Sequence, residues 1–346
     1  MIIKIMKAFV VIIAITLFSC EFNSAEAIPE VAAKSYIVID VNSGRIIGSR
    51  NANEKLPIAS TTKIMTSILA IENEKDLNTS IEVPASCTGI EGSSIYLKPN
   101  QMVSINDLLY GTMLRSGNDA AETLAAFIGR NNQDGFVSMM NEKAVEIGAY
   151  NTNFVNPHGL QDNEHYSTAF DMALISQYAM KNETFKKIVS SLQYKADTLN
   201  TILYNKNKVV QQYEYGNGIK IGYTKSAGRC LVASAEKEGT EIITVVLNDN
   251  NWFNDCYKLF DWAFDNYESC NIVQKEQYVG ISPEGKPVFI SDGFDYLLTE
   301  EEKKDIRFQA NYLTSHIVTD KDYVVCGTYN IYLGDELIHL GDLKGN

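Results

Sequence analysis

Pro57-Ile-Ala-Ser-Thr-Thr-Lys-Ile-Met-Thr-Ser-Ile-Leu-Ala70 is the stretch on which the fold turns. Its apolar residues Ile64, Met65, Ile68 and Leu69, with Ile71 just beyond, recur at helical spacing. Ser60 and Lys63 stand three apart at the head of that period. Residues i and i+3 of a helix share a face, so the hydroxyl and the amine can meet there. A serine becomes a nucleophile when a base takes its proton, and a lysine is that base where its surroundings lower its pKa. Chance alone produces Ser-x-x-Lys about once in a chain of this length. A second copy, Ser234-Ala-Glu-Lys237, follows the apolar run Cys230-Leu-Val-Ala233, which reads as a strand. There i and i+3 point to opposite faces. Only Ser60 and Lys63 are placed for chemistry.

Outward from this stretch, residues 35–40 and 45–49 read as two strands around the turn Val41-Asn-Ser-Gly44. From 60 to about 182 the pattern is mostly helical. Ser104 caps one helix with Asp107 at its third position and Leu108, Leu109, Met113 and Leu114 inward, and helices are expected over 119–128 and 134–147. Strands return over 209–215, 219–223, 229–235 and 241–247, and a helix over 254–267 closes the series. This order predicts an α+β fold, an antiparallel sheet covered by helices with an inserted helical block. From about 271 short alternating runs (287–290, 323–326, 329–333, 337–343) lie between turn clusters such as Pro283-Glu-Gly-Lys286. They predict a small all-β domain over 271–346, after a larger domain over 28–270.

Lys4 and Lys7 precede the apolar run Ala8-Phe-Val-Val-Ile-Ile-Ala-Ile-Thr-Leu-Phe18, too short to span comfortably as a permanent helix. Ala25-Glu-Ala27 then provides small residues for cleavage, so 1–27 reads as a signal peptide and the protein as exported. A competing cut places a lipid on Cys20, in a segment similar to a bacterial lipoprotein signal. Peripheral membrane association is therefore expected only through a lipid on Cys20 or an uncleaved signal, since 337–343 is short, acidic and unlike a Lys-rich anchor. A formal net charge of −13 argues against a nucleic-acid partner. The spacing of the six cysteines matches no zinc site, and Cys256 and Cys270 flank a helical pattern close enough in sequence to pair. No cofactor or metal is expected, and His158, in a Pro-His-Gly turn, reads as structural.

Two further motifs carry chemistry. Ser116-Gly-Asn118 lies at a tight junction between two helices, where the pair either caps a helix or turns its polar groups into a cleft. Lys220-Ile-Gly222 lies in a strand, where glycine permits close approach of another backbone and the lysine's charge depresses the pKa of a neighbouring amine. Decoys of both exist, Ser104-Ile-Asn106 at a helix cap and Lys237-Glu-Gly239 in a hairpin turn.

Ser-x-x-Lys, Ser-x-Asn and Lys-x-Gly in this order resemble the signature of the penicillin-recognising serine hydrolases. With Glu91-Gly-Ser-Ser-Ile-Tyr-Leu97, Phe154-Val-Asn-Pro-His-Gly-Leu160 and Tyr166-Ser-Thr-Ala169, the chain is most similar to the low-molecular-weight penicillin-binding proteins that act as D-alanyl-D-alanine carboxypeptidases. The resemblance covers roughly 30–270, with the trailing β domain similar to that family's second domain. It implies a β-lactamase/transpeptidase-like fold and removal of the terminal D-alanine from peptidoglycan stem pentapeptides, in cell-wall or spore-cortex maturation. It also implies β-lactam inhibitors. Ser60 is then the nucleophile, Lys63 the base and Ser116 the proton relay. Asn118, Lys220, Gly222 and Tyr223 bind substrate, with the N–H groups of Ser60 and Tyr223 as oxyanion hole.

The match departs at two places. Ile221 stands where the family usually has threonine, and Trp252 where some members carry an arginine; both family residues hold the substrate's free carboxylate. Lys225 and Arg229 are the nearby cations in sequence. A β-lactamase is the rival within the superfamily, and a weakly catalytic peptidoglycan-binding protein the rival outside it.

Overall fold

The computed structural model describes residues 27–130, 132–318 and 323–345. The expected signal segment and Cys20 lie outside the described residues except at Ala27. In chain order the elements begin with strands β1 (Ser35–Asp40) and β2 (Ile46–Arg50), helix α1 (Lys63–Asn73), and strands β3 (Ser80–Glu82) and β4 (Met102–Ser104). Helices α2 (Ile105–Leu114), α3 (Asn118–Ile128), α4 (Gln133–Ile147), α5 (Ala169–Met180) and α6 (Glu183–Ser190) form the inserted block. Then come β5 (Gln193–Ala196), β6 (Thr201–Tyr204), α7 (Val209–Gln212), β7 (Gly216–Thr224), β8 (Gly228–Lys237), β9 (Thr240–Leu247) and α8 (Trp252–Asn266).

The strand order β2-β1-β9-β8-β7, antiparallel throughout, makes a five-stranded sheet with β7 at one edge. On one face Ile39, Val232, Ile243 and Val245 join the inner residues of α1, α2 and α5 in the larger core. On the other, Val38, Leu231 and Val246 meet Leu259, Phe260 and Ala263 of α8. This is the expected sheet covered by helices. Alternation along β8 and β9 sends successive side chains to the two faces, which is why their sequences read as continuous apolar runs.

Helix α1 is more enclosed than an amphipathic stripe suggests, because every residue from Lys63 to Ala70 is buried. Its polar positions therefore need partners, and Thr66 Oγ1 donates to the Pro157 carbonyl at 2.6 Å. The sequence expectation fails at 209–215, where Val209–Gln212 is a short helix and not a strand. Two β-branched residues suggested extension, but Asn207 Oδ1 accepts from Val209 N–H and Gln211 donates to the Asn205 carbonyl. Those local side-chain bonds close a helical turn instead.

Past α8, β10 (Glu268–Val273), β11 (Tyr278–Ile281), β12 (Pro287–Ile290), β13 (Phe294–Leu298), β14 (Ile306–Val318), β15 (Val324–Leu333) and β16 (Glu336–Gly345) build the all-β part. The runs expected at 323–326 and 329–333 belong to a single strand, β15. A sheet of order β11-β12-β16-β15-β14 buries Val288, Ile290, Tyr329, Ile331 and Leu343, while β10 pairs with β13. Arg45, in the turn before β2, fastens this part to the larger one. Its guanidinium binds Glu302 and the Leu297 carbonyl and lies against the rings of Tyr267 and Tyr296. Cys256 and Cys270 do not pair; both are free thiols, as are Cys87, Cys230 and Cys326.

Candidate active site

Ser60 does not open the α-helix as its period suggested. It lies in a 3-10 turn, Ala59–Thr62, entered through Ala59 at φ +48°, and α1 begins only at Lys63. A 3-10 turn stacks residues i and i+3 directly, a closer eclipse than the α-helix provides. Lys63 Nζ accordingly lies 3.0 Å from Ser60 Oγ. The same nitrogen is 2.7 Å from Asn118 Oδ1 and 2.6 Å from the His158 carbonyl, and Lys63 is fully buried.

All three partners of the amine are neutral oxygens. Burial, followed by the nearby positive charge of Lys220, holds Lys63 well below the ordinary lysine range. The arrangement can therefore move a proton from the Ser60 hydroxyl to the Lys63 amine, whose charged form burial disfavours.

Asn118 is the first residue of α3 and is aimed from both ends. Its N–H donates to the Ser93 carbonyl at 2.7 Å and its Nδ2 to the Glu91 carbonyl at 2.5 Å. Ser116, two residues earlier, is almost buried in a left-handed conformation at φ +62°. That backbone is uncommon outside glycine, asparagine and aspartate, and such residues cluster at functional sites. The helix cap is Gly117, so Ser116 is not the ordinary capping residue.

Lys220 and Gly222 point to the α1 face of β7. A Cβ at Gly222 would stand 2.9 Å from the Ser60 amide nitrogen, so only glycine lets the strand pass this close to the turn that carries Ser60. Tyr223, next along, is largely exposed. Lys220 is buried and donates to the Ile221 carbonyl at 2.9 Å. Burial, with the charge of Lys206 second, lowers it to about 7, so its charge is not fixed at neutral pH as the sequence suggested. Ile221 turns to the other face, among the aromatic residues of α8.

This lowered pKa has a consequence for stability. Between about 7 and the ordinary 10.5 the unfolded chain holds a proton on Lys220 that the folded chain lacks. Stability therefore rises with pH across that window, by at most ~1.4 kcal/mol per pH unit from this group. Urea unfolding at successive pH values should show a shallower slope in Lys220→Met. Equal slopes in variant and parent would contradict the assignment.

Several residues that hold the site were not marked by any motif. Gly159 (φ +83°) packs against the Ala59 carbonyl, which brings the His158 carbonyl to Lys63. The His158 ring lies 2.9 Å from Glu122. His165 Nδ1 accepts from Val155 N–H, which leaves Nε2 as donor to Thr62 Oγ1 at 2.8 Å. Thr62 in turn donates to the Ala59 carbonyl. Burial, then the positive field of His158, takes His165 down to about 4, so this chain keeps its polarity through the neutral range. The Asp119 carboxylate accepts from Ile95 N–H, Leu97 N–H and Ser94 Oγ, and so fastens the loop whose Glu91 and Ser93 carbonyls aim Asn118. A carboxylate one residue after Ser-x-Asn was the available signal.

The profile of peptidase family S11, D-alanyl-D-alanine carboxypeptidase, matches residues 22–251. The chain is 34% identical over 257 residues to the D-alanyl-D-alanine carboxypeptidase DacF of Bacillus subtilis, covering 71% of this chain and 66% of that protein. To DacA of Escherichia coli, also a D-alanyl-D-alanine carboxypeptidase, it is 33% identical over 339 residues, covering 90% and 82%. Penicillin binding protein 5 from Haemophilus influenzae superposes with a TM-score of 0.80 at 26% identity, over 92% of this chain and 97% of that one. With a serine beside a buried lysine on this fold and these relatives, the chain belongs to the family of serine-type D-alanyl-D-alanine carboxypeptidases.

Proposed function

We propose that this protein is an exported, penicillin-sensitive carboxypeptidase that trims the terminal D-alanine from peptidoglycan stem pentapeptides. The observation that carries this reading is the Lys63 amine, buried against Ser60 Oγ with only neutral acceptors around it. Ser60 Oγ attacks the carbonyl between the last two D-alanines as Lys63 takes its proton. The N–H groups of Ser60 and Tyr223 hold the developing oxyanion, the first at the start of a helical turn. Ser116 passes a proton to the leaving D-alanine amine, Asn118 orients Lys63 and the substrate amide, and Lys220 tunes the field. Water then hydrolyses the ester on Ser60. As an edge strand, β7 leaves half of its backbone groups free to pair with an extended peptide.

By this reading residues 28–270 carry the catalysis, 271–346 form the accessory β domain, and the setting is the wall outside the cytoplasmic membrane. Among the described residues no helix is long and apolar enough to cross a membrane. Incubation with benzylpenicillin should add one drug mass to the intact protein, and digestion should place it on Ser60. D-Alanine should appear when a stem pentapeptide is supplied. No adduct, or an adduct on another serine, would remove the nucleophile assignment; an adduct without D-alanine release would leave a peptidoglycan-binding protein.

A further inference from the structure

The proposed reaction consumes a peptide that ends in a free carboxylate, and none of the residues assigned so far holds that charge. Lys63 and Lys220 are buried and directed at Ser60 and at the Ile221 carbonyl. Ile221 has no donor on its side chain and packs into the α8 cluster. We propose that Arg229 receives the terminal carboxylate of the substrate, with the ring of Trp252 as the platform that aims it.

Arg229 lies on β8 directly opposite Tyr223 of the edge strand, one residue beyond the glycine that touches Ser60's turn. Side chains so paired start about 5 Å apart, and an arginine is long enough to reach past the single outer strand. The guanidinium is half-fixed already. Nη1 donates to the Asn250 carbonyl at 3.0 Å, and its central carbon lies 6.0 Å from the centre of the Trp252 ring. Neither contact neutralises it, and among the described residues no carboxylate pairs with it. Tyr223, Gly228, Arg229 and Asn250 line an open cavity of about 420 Å³, ample for one amino-acid residue. The planar fork matches a carboxylate with two parallel N–H donors. Lys225, the other nearby cation, is exposed in the β7–β8 turn, and no described contact aims it.

Trp252, standing where some family members carry an arginine, thus serves that function by stacking: the charge comes from the strand and its direction from the helix.

This inference rests on the carboxypeptidase reading, and the test separates the two. Wild type, Arg229→Gln, Arg229→Lys and Lys225→Gln are compared on a pentapeptide ending in free D-alanine and on the same peptide ending in D-alaninamide. Arg229→Gln should lower kcat/KM for the acid by about 10- to 100-fold, mostly through KM, and bring the acid-to-amide preference towards one. Arg229→Lys should keep part of the preference, and Lys225→Gln nearly all of it. An unchanged ratio in Arg229→Gln, whether both rates fall together or neither moves, overturns the assignment, as does a ratio that collapses in Lys225→Gln. A wild-type protein that neither releases D-alanine nor is acylated by penicillin defeats the parent reading and this one with it.

Discussion

Lys63→Met is expected to cut the rate of acylation by penicillin by roughly 10³- to 10⁴-fold while leaving the protein folded. A positioned general base contributes up to ~10⁴ to such a step, and no other base lies within hydrogen-bond reach of Ser60 Oγ among the described contacts. Methionine is unbranched and adaptable, so it fills most of the space. The substitution strips a donor from Asn118 Oδ1 and the His158 carbonyl, a cost of about 1–3 kcal/mol for each buried orphan. Against this, the chain no longer desolvates an amine at the head of α1, which offsets part of the loss. Rapid-mixing acylation together with a thermal melt reads both effects. A rate within tenfold of the parent would show that another group takes the serine's proton.

Gly159→Ala should be the most damaging small substitution in the chain. The added Cβ would stand 1.9 Å from the Ala59 carbonyl oxygen, at a backbone φ of +83° that L-residues resist. The loop must retreat, and its retreat takes the His158 carbonyl off Lys63 and relaxes the strained Ala59 beside Ser60. A loss on the order of 3 kcal/mol or more, with acylation falling in parallel, is the expected result. Gly148 provides the comparison. It caps α4 at φ +92°, yet nothing lies within 4 Å of its added Cβ, so Gly148→Ala should cost only about 1 kcal/mol and leave acylation alone. Similar denaturation midpoints for the two variants would show that the contact at Ala59 is soft.

Which residues meet at this site was largely legible before the fold was known, because three short motifs occur in order and local context separates each from its decoy. Ser60, Lys63, Asn118 and Gly222 do meet, and the decoy Ser234 lies in β8 with its hydroxyl bonded to Asn217. What could not be read was support that acts through backbone atoms. The His158 carbonyl, not its ring, touches Lys63, and a carbonyl has no letter in the sequence. The same holds for the Glu91 carbonyl behind Asn118. Local geometry was misread where side chains overrode propensity, as at Val209–Gln212, and where one left-handed residue, Ala59, changed an α-turn into a 3-10 turn. The contacts of Arg229, the Asn250 carbonyl and the Trp252 ring, lie 21 or more residues along the chain and were beyond any short window of sequence.

The open edge of β7 also bears on how the protein behaves in a crowd. An unpaired strand offers its backbone groups to another copy of itself, and exposed strand edges invite that kind of self-association. This edge carries its own deterrents. Gly216, Gly218 and Gly222 are poor strand formers, and Lys220 sets a desolvated amine in the middle of the strand. At the opposite edge β2 is only five residues long and ends in Arg50. The glycines and the lysine of β7 thus also disfavour pairing of its edge with that of a second copy.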